Sequence, residues 1–207
     1  MKNKKVRVLT GTAMLTALAV VLQYIEISIP IMPSFIKLDF SDLPELIGAF
    51  AYGPVAGILI ALLKNVIHLL ASQSLFIGEL SNFILGAIFA GIAGLIYKKN
   101  KTKKNALFAG ICGSLAMAVI SLPSNLYVVY PIYYQAFAPE NVILGAYNTI
   151  LAPTGHQLKS MVEALLVFNV PFTFLKALIC AIVAMLIYKP LSPLLKGKEN
   201  KTEKIQF

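Results

Sequence analysis

Long apolar runs, separated by short polar segments, dominate this chain. A helix needs roughly 20 apolar residues to cross a bilayer. Runs of that length cover residues 8–29, 77–97, 106–130 and 164–188. A further apolar region is interrupted by Gly53-Pro54 and divides into the short spans 44–53 and 54–72. The pattern predicts one all-α integral membrane domain over residues 1–207, built as a bundle of six transmembrane helices.

Composition supports a membrane environment. Hydrophobic residues make up 58% of the chain and charged residues only 13%, whereas soluble domains carry about 25% charged residues. Mean hydropathy is +0.78. We therefore expect membrane lipid to surround the folded chain.

The net charge of +9 lies mostly in three clusters. They are MKNKKVR at the start, KKNKTKK at 98–104, and the segment 189–204. With six crossings all three clusters and both termini lie in the cytoplasm, as the positive-inside rule favours, whereas five crossings would place 98–104 on the opposite side. Since no basic face is interleaved with aromatic residues, nucleic-acid binding is not expected.

Two connections then lie outside. Residues 131–163 are rich in Tyr, Pro, Asn and Gly and predict an ordered outer cap with short helices. The other outer loop, KLDFSDLP at 37–44, carries acidic residues that solvation and capping of the next helix would explain. Both segments lie beside the outer ends of the predicted spans.

Polar side chains inside spans indicate function, because they are costly in lipid. Asn169, Thr173 and Lys176 recur at i, i+4 and i+7 and share one face of the last span. We expect them to line an outer cavity for a neutral, hydrogen-bonding, partly aromatic small molecule. Further candidates in the fourth and fifth spans are Glu79, Asn82, Asn125 and Tyr127.

Other interpretations of these residues stay open. Tyr127 is also typical of an interfacial aromatic belt, and Asn82 and Asn125 could join helices. Lys176 lies too deep to reach the cytoplasmic surface easily, which favours a cavity or a partner. Lys64 and His68 share a face of the third span, with no metal-ligand spacing around them.

Motifs for chemistry are missing from the sequence. It contains no Walker A sequence, no GxSxG and no HExxH. Uphill transport would therefore require a partner that hydrolyses ATP. An intramembrane enzyme acting on a lipid-linked substrate would need an acid-base pair, for which Glu79 with His68 is the candidate.

Three stretches carry a resemblance to a known family. They are KLDFSDLPELIGAFAYGPVAGILIALLKNVIH at 37–68, the pair Ala13 and Ala17, and PFTFLKALI at 171–179. Together they resemble the S components, the substrate-binding subunits of energy-coupling factor vitamin importers, and especially the riboflavin-specific group. The resemblance implies a multi-pass bacterial plasma-membrane protein that binds riboflavin, uses no cofactor and catalyses no reaction.

The resemblance also implies partners and residue roles. The partners are a transmembrane coupling subunit, which docks on Ala13 and Ala17, and two ATP-binding cassette subunits. The outer loop, with Leu38, Asp39 and Phe40, would form a lid over the vitamin site. The other residues of that site would be Glu79, Asn82, Asn125, Tyr127, Asn169, Thr173 and Lys176. Thr173 departs from the family pattern, which leads us to expect asparagine there. An S component for another vitamin, such as thiamine, would share this architecture.

Overall fold

The computed structural model describes residues 2–72 and 74–196, and within these ranges the chain is almost entirely helical. The expected all-α membrane fold is confirmed. The helices are α1 (Lys2–Tyr24), α2 (Asp42–Tyr52), α3 (Pro54–His68), α4 (Ile77–Lys99), α5 (Lys103–Ser124), α6 (Tyr130–Ala136), α7 (Glu140–Leu151), α8 (Met161–Ala164) and α9 (Val170–Lys196). Two short strands, β1 (Ile27–Ser28) and β2 (Lys37–Leu38), pair antiparallel.

Five helical segments in the described ranges are long and apolar enough to cross a membrane. They are residues 5–24, 54–71, 77–99, 103–136 and 161–188. Helix α2 is the remaining predicted span, and its 11 residues reach only about half of the roughly 30 Å hydrocarbon core. The count of six crossings and the cytoplasmic termini therefore stay predictions.

The chain reverses direction between α2 and α3. Gly53 has a φ of 107°, a backbone conformation that would be strained in a residue with a side chain. Pro54 occupies the first turn of α3. A Cβ on Gly57 would lie 2.8 Å from the Ala49 Cβ and 2.9 Å from the Glu45 carbonyl oxygen. The two helices thus pack as a close antiparallel hairpin, in which α2 is buried and one face of α3 is exposed.

Helix α5 continues into α6 through a π-helical turn, Asn125–Val129. The Tyr130 N–H bonds to the Asn125 carbonyl, five residues back. Pro131 follows this turn and has no N–H to donate, and its ring would clash with the Tyr127 carbonyl in a regular helix. The proline therefore gives a local reason for the wider turn.

A second π-helical turn, Leu165–Asn169, connects α8 to α9. Here the Val170 N–H bonds to the Leu165 carbonyl, and Pro171 again follows. Wider turns of this kind are frequent at functional sites. Each of the two turns brings one asparagine into the bundle interior.

The first outer loop differs from the prediction. Helix α1 ends at Tyr24 rather than at residue 29, so the predicted end of that span is wrong. Residues 27–28 instead pair with 37–38 in a hairpin whose loop contains Pro30 and Pro33. This hairpin and the cap helices α6 and α7 lie at the same end of the bundle as the cavity described next.

Candidate functional site

A cavity of about 570 Å³ opens at the cap end of the bundle. That volume is within the range of small-molecule sites, roughly 300–1,000 Å³. The β1–β2 loop, α4, the two π-helical turns and α9 all contribute to its wall. The predicted residues that line it are Asp39, Glu79, Asn82, Asn125, Asn169, Thr173 and Lys176.

Three predicted residues do not line this cavity. Leu38 and Phe40 flank Asp39 but form no part of the wall, and Phe40 packs against the main hydrophobic core. Tyr127 is 75% exposed and lies outside the wall. Its position on the bundle surface agrees with the aromatic-belt interpretation instead.

Lys176 is buried and forms two ion pairs. Its Nζ lies 2.9 Å from Asp39 Oδ2 and 3.2 Å from Asp42 Oδ2. Burial by itself raises the pKa of Asp39, but the ammonium groups of Lys176 and Lys64 and a hydrogen bond from Ser41 hold that pKa below its ordinary value. Asp39 is therefore a charged acceptor at the cavity wall.

Lys64 extends this set of charges into the bundle. Its Nζ lies 3.2 Å from Asp42 Oδ1 and 2.7 Å from Glu45 Oε1, and it donates a hydrogen bond to Ser41 Oγ. Asp42 thus bridges the two lysines, one at each carboxylate oxygen. We call Asp39, Asp42, Glu45, Lys64 and Lys176 the ionic cluster.

Sequence reasoning missed most of the ionic cluster. The acidic residues of the loop are not a solvated cap, because Asp39, Asp42 and Glu45 are all buried. Their spacing of three residues, which places them close together as the chain enters α2, was a usable signal. Glu45 also needs a neighbour without a side chain, since a Cβ on Gly86 of α4 would lie 2.4 Å from Glu45 Oε2.

Glu79 is held by a separate group at the start of α4. Its Oε1 lies 2.8 Å from His68 Nδ1, and its Oε2 accepts hydrogen bonds from Ser72 Oγ at 2.9 Å and Ser74 Oγ at 3.0 Å. His68 and Glu79, which the sequence offered only as a candidate pair, are therefore in contact. Because both carboxylate oxygens already have partners, the carboxylate is fixed in orientation at the wall.

A neutral network lies on the cap side of the cavity. Tyr147 Oη lies 2.6 Å from Tyr130 Oη and 2.7 Å from Asn169 Oδ1. Burial raises the pKa of Tyr147, so its hydroxyl stays protonated. Sequence reasoning missed Tyr147, although Ile143 and Tyr147 at i and i+4 are the buried pair of α7.

Three wall residues keep their hydrogen-bonding capacity. Within the described ranges, the side chains of Asn82, Asn125 and Thr173 have no hydrogen-bond partner, and all three face the cavity. Amides and a hydroxyl can both donate and accept. They are suited to a ligand that carries several hydroxyl groups.

Aromatic rings and one ion pair surround the cavity mouth. Phe35 and Tyr133 both line it, with ring centroids 5.9 Å apart. Lys37 pairs with Glu26 across the β1–β2 hairpin. In the described part of the chain no group of three or more His, Cys, Asp or Glu side chains is arranged to hold a metal ion.

Ala13 and Ala17 do not line this cavity. Both are exposed on α1, beside Met14 at 63% and Leu18 at 44% exposure. The opposite side of α1 buries Thr12 and Leu15 against the bundle. The exposed small residues therefore leave a shallow apolar face that another helix can approach closely.

A membrane bundle with a small-molecule cavity at one end and no catalytic motif has the properties of a substrate-binding transport subunit. The sequence matches the family described as "ECF transporter, substrate-specific component" over residues 7–188. The chain belongs to this family of energy-coupling factor transporters. It is accordingly a multi-pass protein of the bacterial plasma membrane and not an enzyme, so the contact between His68 and Glu79 is not a catalytic pair.

Individual relatives are similar over almost the whole chain. The "Riboflavin transporter RibU" of Staphylococcus aureus (strain TCH60) is 33% identical, with 94% of each chain covered. The "Riboflavin transporter FmnP" of Bacillus subtilis (strain 168) is 27% identical, covering 95% of this chain and 97% of that one. A solved S component of a bacterial ECF transporter superposes with a TM-score of 0.71 at 32% identity, covering 95% and 99% of the two chains.

Proposed function

We propose that this chain is the riboflavin-binding subunit of an energy-coupling factor importer, capturing riboflavin outside and delivering it to the cytoplasm. The observation that carries the proposal is the polar, aromatic cavity at the cap end. It occurs in a chain whose relatives over nearly their whole length are named riboflavin transporters. Thiamine is not favoured as the vitamin, because those names agree on riboflavin.

The polar groups of the cavity match the edge of the isoalloxazine ring. That edge carries two carbonyl acceptors, ring-nitrogen acceptors and one imide N–H donor. Lys176 and Asn169 can donate to the acceptors, and the charged Asp39 can accept from the imide. Charged partners strengthen such hydrogen bonds in a site that excludes water.

The other parts of the vitamin match other parts of the wall. The ribityl chain carries hydroxyl groups, for which Asn82, Asn125 and Thr173 are the free partners and Glu79 is a fixed acceptor. The apolar dimethylbenzene end can pack against Leu85, Met117 and Phe172, which also line the cavity.

Delivery requires partners. The sequence holds no ATP-binding motif, so energy would come from two ATP-binding cassette subunits acting through a transmembrane coupling subunit. We place the docking site of that coupling subunit on Ala13 and Ala17, since these exposed small residues allow close helix contact. The loop around Asp39 would close over bound vitamin and reopen when the subunit reorients.

A fluorescence titration tests the binding proposal. Detergent-purified protein is added to riboflavin, and quenching of flavin fluorescence is followed to saturation. We expect saturation at one riboflavin per chain, with no displacement by excess thiamine. Unquenched riboflavin, or displacement by thiamine, would contradict the proposal.

A further inference from the structure

Tyr147 connects the outer cap to the cavity. It belongs to the cap helix α7 and is 0% exposed. Tyr147 is not part of the cavity wall. Its hydroxyl, however, contacts Asn169, which lines the cavity. Any effect of the Tyr147 hydroxyl on a ligand must therefore pass through Asn169 or Tyr130.

The lengths of the contacts favour one orientation of the Asn169 amide. Tyr147 Oη lies 2.7 Å from the atom assigned as Asn169 Oδ1, a distance typical of O–H···O, whereas N–H···O bonds centre on about 2.9–3.0 Å. Asn169 Nδ2 lies 3.4 Å from Tyr130 Oη, which is long for any hydrogen bond. The oxygen end of the amide thus belongs at Tyr147.

This orientation determines where each hydrogen atom of the network is used. Tyr147 has one hydroxyl hydrogen, which it donates to Asn169 Oδ1, so the 2.6 Å contact with Tyr130 must use the Tyr130 hydrogen. Both hydroxyl hydrogens are then committed within the network. The amide hydrogens of Asn169 are the remaining donors, and at least one of them is free for the cavity.

We propose that Tyr147 is a positioning residue for the ligand, because its hydroxyl holds the Asn169 amide with Nδ2 presented to the cavity as a donor. The proposal rests on the proposed function in taking riboflavin as the ligand. Without this hydroxyl the amide can rotate by 180° and present its oxygen to the acceptor atoms of the flavin edge. Tyr147 thereby favours ligands that offer an acceptor at Asn169.

The surrounding packing keeps Tyr147 in place. Its ring lies 5.3 Å from the Phe168 ring and 6.1 Å from the Phe35 ring. The adjacent Asn148 forms two hydrogen bonds with the Leu158 backbone, at 2.7 and 3.2 Å. Phenylalanine at position 147 would retain the ring contacts and remove only the hydroxyl.

A double-mutant cycle tests the proposal. Riboflavin affinity is measured by fluorescence quenching for the wild type, Tyr147→Phe, Asn169→Ala and the double variant. Loss of one neutral hydrogen bond predicts about three- to tenfold weaker binding for Tyr147→Phe. In the Asn169→Ala background, the same change should alter affinity by less than about twofold, since its target is gone.

The matched control is Tyr188→Phe. Its hydroxyl donates to the Phe50 carbonyl at 3.2 Å, in a part of the bundle that does not line the cavity, so riboflavin affinity should not change. Additive effects of Tyr147→Phe and Asn169→Ala would overturn the proposal, as would wild-type affinity of Tyr147→Phe. Failure of the wild type itself to bind riboflavin would instead refute the proposed function.

A second variant tests the amide orientation without altering Tyr147. Asn169→Asp keeps an acceptor oxygen toward Tyr147 but replaces the donor group by oxygen. We expect riboflavin affinity no better than that of Asn169→Ala. Affinity close to the wild type would show that an oxygen faces the ligand and would overturn the proposal.

Discussion

The ionic cluster and the tyrosine network both border the cavity, and they are built from different chemistry. The ionic cluster places three carboxyl groups and two ammonium groups in the bundle interior, with Lys64, Asp42 and Glu45 each no more than 1% exposed. The tyrosine network of Tyr130, Tyr147 and Asn169 is uncharged. A buried charge that loses its partner costs far more than a neutral hydrogen bond does.

The two regions differ in how they contribute to folding and to binding. In the ionic cluster the same groups that face the ligand also neutralise one another, so folding and binding are coupled there. In the tyrosine network the groups are neutral, and a lost hydroxyl should weaken binding with little effect on folding. Variants in the two regions should therefore differ both in size of effect and in the property that changes.

The largest effect is expected for Lys64→Met. It removes the only cation within 4 Å of Glu45 among the described residues and leaves that buried carboxyl group without an ion-pair partner, at a cost of about 3–5 kcal/mol in the free energy of unfolding. The measurement is the midpoint of thermal unfolding in detergent. Adding Glu45→Gln should recover part of the loss, and Lys159→Met on the surface is the control. A wild-type midpoint for Lys64→Met would contradict the assigned role of the ionic cluster.

Lys176→Met should weaken binding and also lower stability, because Asp39 loses its ion-pair partner. Asp42 keeps Lys64 as a partner, whereas the ligand loses a charged donor, and such hydrogen bonds contribute about 1.5–3 kcal/mol. We expect riboflavin affinity to fall on the order of 10- to 100-fold in the quenching assay. Unchanged affinity would remove Lys176 from the site.

Asn82→Ala should give a smaller loss, because a single neutral hydrogen bond to a ribityl hydroxyl contributes only about 0.5–1.5 kcal/mol. We expect riboflavin to bind roughly three- to tenfold more weakly. Lumiflavin, which has the ring but no ribityl chain, should bind the variant and the wild type equally. Tyr127→Ala is the control outside the cavity, and a larger effect there than at Asn82 would contradict the cavity assignment.

Ala17→Trp should have the smallest effect on riboflavin affinity but should abolish riboflavin uptake. The indole would project from the exposed face of α1 and prevent close approach of a partner helix, while the cavity is untouched. Riboflavin affinity is measured on purified protein and uptake on cells that also produce the coupling module. Unimpaired uptake would contradict docking on this face.

The sequence predicted the membrane fold because apolar length and the positions of basic residues are local properties. It also identified most of the polar wall, because polar side chains in apolar spans are conspicuous. The helical face of Asn169, Thr173 and Lys176 is the clearest example, and all three line the cavity. For Tyr127 the same reasoning did not determine which side of the helix it occupied.

What the sequence did not predict depends on contacts between distant segments. Lys176 meets Asp39 across a separation of 137 residues, and Tyr147 meets Asn169 only because the cap folds back on the bundle. The β1–β2 hairpin replaced the end of the first predicted helix for the same reason. Periodicity reports which face of an element is buried, but it does not report what packs against that face.

The most direct test of the central claim is the visible absorption spectrum of the protein, purified in detergent from a riboflavin-producing host. The bound molecule is then released by denaturation and identified. We predict a yellow protein that releases one riboflavin per chain. A colourless protein that also fails to quench added riboflavin would contradict the assignment of this cavity to riboflavin.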